Sequence, residues 1–166
     1  MKFSSLIVSL GVAIFLVTGI VVQSETEKQV TTDAITYKVE VYLGFDEAIK
    51  RVSQELKAEE FGIVSRIDLH TTFKKKLGVD GSPHTILGAC NPKLAHKAVS
   101  TMPEAAIMLP CNVTVQAAGD KRTIVRIVRP IAVMTGAGLE KNSVVREVGE
   151  VADAKLKRVA QALSVR

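Results

Sequence analysis

Cys111-Asn112-Val113-Thr114-Val115-Gln116-Ala117-Ala118-Gly119-Asp120-Lys121-Arg122-Thr123-Ile124-Val125-Arg126-Ile127-Val128-Arg129 is the stretch that decides the fold. Apolar and polar residues alternate on both sides of Gly119-Asp120, and a period of two puts alternate side chains on opposite faces of a strand. A Gly-Asp break between two such runs predicts a hairpin, so these residues form neighbouring antiparallel strands.

Outward from the hairpin, Ile35 to Leu43 alternates in the same way: Ile35, Tyr37, Val39, Val41 and Leu43 fall on one face, Thr36, Lys38, Glu40 and Tyr42 on the other. Gly44 ends that strand. Ala48, Ile49, Val52 and Leu56 then recur at helical spacing as far as Phe61-Gly62, with Asp46 and Glu47 placed to cap or complement the helix start. Gly62 to Leu69 reads as a strand with Ile63, Ser65, Ile67 and Leu69 on one face, and Thr71 to Leu77 as a short basic helix closed by Gly78. Thr85 to Ala89 is a short apolar run, read as a central strand. Pro92 suits the first turn of a helix to about Ser100, with Asn91 as its cap. After Gly136 and Gly138, Asn142 or Ser143 caps a long C-terminal helix whose apolar stripe is Val145, Val148, Ala152, Leu156, Val159 and Leu163. The order implies one α+β domain over residues 35–166: a mixed, βαβ-rich sheet of about five strands covered by helices.

The chain opens with Lys2 and an uncharged run from Leu6 to Val22. One cation before an apolar run is the pattern of a secretory signal, here ending near Ser24; at about 17 residues the run also suits an N-terminal anchor. Residues 1–24 are therefore expected to be a signal or anchor and 25–34 a flexible lead-in. The domain is then exported, to the periplasm or the outer face of the cytoplasmic membrane, and touches membrane only through an uncleaved leader. The formal charge of +5 falls to +4 without Lys2. Scattered cations and few aromatics exclude a nucleic-acid reader, and Lys74-Lys75-Lys76 reads as a solvated helix face. Glycine-rich phosphate loops and the GxSxG, HExxH and CxxC signatures are absent from the sequence.

Three stretches carry a resemblance. They are Phe45-Asp46-Glu47-Ala48 leading to Phe61-Gly62-Ile63-Val64; Leu87-Gly88-Ala89-Cys90-Asn91-Pro92-Lys93-Leu94-Ala95-His96; and Met108-Leu109-Pro110-Cys111-Asn112-Val113. Through them the chain after Tyr42 resembles the domain-of-unknown-function 302 family. The resemblance implies a compact βαβ-rich domain that forms homodimers. It implies no activity, because the family has no established one, and the N-terminal leader is an addition to the core domain.

Cys90-Asn91-Pro92 and Pro110-Cys111-Asn112 are the candidate site. If their strands are antiparallel neighbours the thiols approach; a parallel crossover would separate them by nearly 20 Å. Four readings stay open. A Cys90–Cys111 disulfide fits an oxidising compartment and would stabilise by roughly 3 kcal/mol. Two buried thiols can serve only as packing. A redox or persulfide-carrying thiol needs a lowered pKa, which the helix start after Asn91 would supply to Cys90. A soft-metal or haem site would use Cys90 and Cys111 with His96, a set suited to Cu(I) or Zn(II), although His96 lies nearly two helical turns beyond Cys90. Asn91 and Asn112 complete the candidate ligand or redox residues. His70 and His84 read as surface or capped residues. Arg126 and Arg129 are suited either to an anionic ligand or to the solvent side of a strand. The Asn112-Val113-Thr114 sequon starts a strand, and nothing points to a eukaryotic route. No catalytic constellation is complete. The expectation is a non-catalytic small-ligand-binding or sensory module of the cell envelope, with a thiol-dependent redox, sulfur-handling or copper protein as the alternative and no cofactor required.

Overall fold

The computed structural model describes residues 30–165, so the leader and the first half of the lead-in lie outside the described residues. The strands are β1 (Thr31–Thr32), β2 (Thr36–Val41), β3 (Gly62–Asp68), β4 (His84–Cys90), β5 (Cys111–Ala117) and β6 (Thr123–Val128). They form one sheet in the order β1-β2-β6-β5-β4-β3, and every neighbouring pair is antiparallel. The α+β class stands, but the sheet is antiparallel throughout rather than mixed. Helices α2 and α3 each return the chain beside the strand just left, whereas α1 carries it from β2 to β3 at the far edge of the sheet. The sixth strand is β1, whose two residues pair with Tyr37 and Lys38 of β2.

The helices are α1 (Phe45–Ala58), α2 (Leu69–Leu77), α3 (Pro92–Thr101), α4 (Pro130–Gly136) and α5 (Ser143–Ser164). Helices α1 and α5 cover one face of the sheet. Their buried stripes (Val52 and Leu56 of α1; Leu156 and Val159 of α5) meet Val39 of β2, Leu87 of β4, Val113 of β5 and Ile127 of β6 in the main core. All six residues of the expected C-terminal stripe are buried. Among the described residues no helix is long and apolar enough to cross a membrane.

Caps follow the chemistry of the sequence. Asn91 accepts from the amide of Leu94 and opens α3, with Pro92 in its first turn. Asn142 accepts from the amides of Val144 and Val145 and opens α5. Asp46 and Glu47 lie in the first turn of α1 without capping it, so they act on the helix dipole.

Strand β3 departs from the expected pattern. Ile63 pairs with Ala89 but Ser65 pairs with Gly88, so Val64 is an extra residue opposite β4. A bulge of one residue reverses the phase of alternation. Ile63 and Ser65 therefore do not share a face, and six of the seven β3 residues are exposed.

Candidate functional site

The β4–β5 register places the two cysteines together. Cys111 begins β5 directly opposite Ala89, and Cys90 is the next residue of β4. The antiparallel arrangement is thus the one in which the thiols approach. Strict alternation sends successive side chains of β4 to opposite faces. At the last residue of β4, where the chain turns into α3, Cys90 nevertheless borders the same cavity as Cys111. Both thiols are free.

That cavity, of about 350 Å³, lies at the end of the sheet. Its walls come from separate parts of the chain: Leu94 and Ala98 of α3, Ala105 and Met108 of a 3-10 turn (Pro103–Met108), Val133 and Met134 of α4, and Val148 and Ala152 of α5. Ile107, 83% exposed, marks the rim. Ala98, Ala105, Met134 and Val148 of this wall form a second apolar cluster with Val145, which packs behind them. The volume falls in the range of small-molecule sites, about 300–1,000 Å³. At about 30 Å³ per molecule of liquid water it has room for roughly a dozen.

The polar lining is confined to Cys90, Asn91, Cys111 and Asn112. Asn91 is buried and its carbonyl oxygen is engaged in the α3 cap. Asn112 is exposed and stands opposite Gly88 of β4. Burial pushes the Cys111 thiol up to about 11, with a smaller contribution from the nearby Cys90 charge. Burial also raises Cys90. The Cys90 thiol is therefore raised and not lowered as the helix start after Asn91 led us to expect, and neither thiol is poised as a thiolate.

Gly88 fits the site together. A Cβ there would run into Ser65 Oγ and come within 2.6 Å of Pro110 Cγ. The absent side chain lets Pro110, a wall residue next to Cys111, lie flat on β4.

Other residues singled out from the sequence fall elsewhere. His96 is exposed on α3, its Nε2 3.4 Å from Ser100 Oγ, and does not line the cavity. Among the described residues no group of three or more His, Cys, Asp or Glu is placed to hold a metal. His70 lies on α2, and its Nδ1 meets the backbone of His84. Arg126 donates to Gln116 Oε1. Arg129 donates to the carbonyls of Asp33 and Ala34 and stacks over the Tyr37 ring at 5.5 Å. Lys74 pairs with Asp80 on an exposed face. Sequence reasoning missed α4 and the Pro103–Met108 turn. Both open on proline after an extended residue, Arg129 and Met102 respectively, which was the available signal.

The family description "Domain of unknown function DUF302" matches residues 36–163. The chain belongs to the DUF302 family. Among solved structures, it is similar to the crystal structure of an uncharacterized conserved DUF302 protein from Bacillus stearothermophilus. The two are 24% identical with a TM-score of 0.67, covering 76% of this chain and 96% of that one. At that identity the likeness shows the DUF302 fold alone. No curated protein matches this chain. The Cys90 and Cys111 segments lie within the matched DUF302 region.

Proposed function

We propose that this protein is a non-catalytic, small-ligand-binding or sensory module of the cell envelope, taking an uncharged, largely apolar molecule into the cavity at the end of β4 and β5. One observation carries the reading: a cavity of about 350 Å³ whose lining holds no ionisable side chain except two thiols that burial keeps protonated. Burying an uncompensated charge there would cost several kcal/mol, so the walls select against ions. Asn112 at the rim offers an exposed amide able to orient a ligand. Export of the domain behind residues 1–24 belongs to the same proposal.

The test is native mass spectrometry and thermal shift of protein purified from the envelope, with a panel of neutral apolar compounds. Binding is expected, and Val133→Trp, which fills the mouth from a half-buried position, should abolish it while the fold persists. Binding that survives Val133→Trp, or binding confined to anions, would refute the proposal.

A second reading, soft-metal or sulfur handling, draws on the Cys90 and Cys111 thiols sharing the cavity with the thioethers of Met108 and Met134. It predicts Cu(I) uptake in competition with a chromophoric chelator, lost in Cys90→Ser and Cys111→Ser.

A further inference from the structure

The strongest unassigned feature lies on β3, whose first residue pairs with Cys90, and on α2. Among the described residues eleven large apolar side chains are exposed, and six of them (Ile63, Val64, Ile67, Phe73, Leu77 and Val79) fall within this one segment. Helix α2 has no buried residue. Scattered exposed hydrophobes need no explanation; a concentration in one segment marks an interaction surface.

Strand β3 is also the open edge of the sheet. At the opposite edge the sheet ends in a strand of two residues, β1, a short edge of the kind that limits self-pairing. The β3 edge has seven residues and neither proline nor lysine, and its one cation, Arg66, is paired within the strand to Asp68 at 2.9 Å. The bulge at Val64 leaves regular extended backbone from Ser65 to Asp68.

We propose that the β3 edge and α2 form the face on which a second copy of this chain docks, strand to strand and antiparallel, about a two-fold axis near Ile67. The edge is self-complementary in that register. Ile67 of one copy meets Ile67 of the other, and Arg66 of each faces Asp68 of its neighbour, as an isologous contact requires. The axis lies near the end of β3 that leads into α2, so the two α2 helices come alongside each other. Phe73 and Leu77, four residues apart, share one helix face. Lys74, Lys75 and Lys76 take up the rest of the circumference and stay in solvent. Residues 62–79 number eighteen, fifteen of them exposed, close to the roughly 20–30 residues per side of a standard interface. Pairing about a two-fold occupies the β3 edges of both copies at once, so the product is a dimer and not a fibre.

The test is sedimentation velocity of the wild-type protein, Ile67→Arg and Leu77→Lys across the micromolar range, with far-UV circular dichroism to confirm folding. Ile67 and Leu77 are 49% and 70% exposed, so neither substitution disturbs the core. The wild type should be a dimer, and Ile67→Arg should weaken association at least about 30-fold. Ile67→Cys should give a disulfide-linked dimer under mild oxidation, a band the wild type lacks. A monomeric wild type, a dimer indifferent to both charge substitutions, or a dimer in which Ile67→Cys fails to cross-link would overturn the proposal.

Discussion

Alkaline titration with and without the Cys111 thiol gives the sharpest test of how the cavity treats charge. The Cys111 thiol is 9% exposed, and its folded pKa is about 11 against an ordinary 9.0. Between those values the unfolded chain releases the proton while the folded one keeps it. The unfolded state then binds fewer protons, and stability falls as pH rises. The stabilising share of the neutral thiol is fully present below about pH 9 and lost by about pH 11. At about 1.4 kcal/mol per pKa unit it amounts to roughly 3 kcal/mol, a large fraction of a typical 5–15 kcal/mol. Cys90 and Tyr37 are also raised and add slopes of the same sign. The informative quantity is therefore the difference between wild type and Cys111→Ala, measured by urea unfolding at a series of pH values. The wild-type advantage should shrink by about 3 kcal/mol across the window, whatever its size at neutral pH. Parallel stability curves would show that Cys111 titrates normally, and with that the argument for a charge-excluding cavity fails. Alkylation supplies an independent reading: the folded Cys111 should react about 100-fold more slowly than in denatured protein at a pH below both values.

Gly88→Ala should cost about 1–3 kcal/mol, because the added methyl meets the Pro110 ring, which cannot rotate away; urea unfolding measures this, and weakened ligand uptake should accompany it. Tyr37→Phe removes the 2.5 Å hydrogen bond to Asp153 Oδ2, whose other oxygen is buried without a partner. Stability at neutral pH should drop by roughly 1.5–3 kcal/mol, and a change within error would show that water already serves that carboxylate. Asn91→Ala removes the α3 cap and should lower stability by about 0.5–2 kcal/mol, with hydrogen exchange accelerated first at the amide of Leu94.

Much of the fold was legible because its signals are local. Alternation in residues 35–43 and 111–129 fixed β2, β5 and β6, and the faces follow from period two: Tyr37, Val39 and Val41 are buried, as are Val113, Val115, Val125 and Ile127. Asn91 and Asn142 announced their helices because a short side-chain acceptor satisfies amides that the helix leaves free. The phase of β3 was not legible, because the bulge at Val64 has no composition signal of its own; it is defined against β4. Nor was β1, which is too short to display a period and exists through its pairing to β2.

The site shows the same division between local and assembled features. Cys90 and Cys111 stood out in the sequence by their matching Asn/Pro contexts; their proximity turned on strand direction, which the sequence left open and antiparallel pairing resolved. The cavity itself left no mark. Ala98 and Ala105 look like ordinary small apolar residues, and only the packing of α3, α4 and α5 against the sheet end turns them into walls. The same packing sets the chemistry. In sequence, a cysteine before the Asn-Pro start of a helix suggests a thiol made acidic by the helix dipole. In the fold, enclosure by aliphatic groups acts in the opposite direction, and burial raises both thiols. A cavity that disfavours its own thiolates disfavours a charged guest for the same reason. The selectivity proposed for it and the raised thiols would thus be one property of the lining, and a substitution that admits water beside Cys111 should change both together.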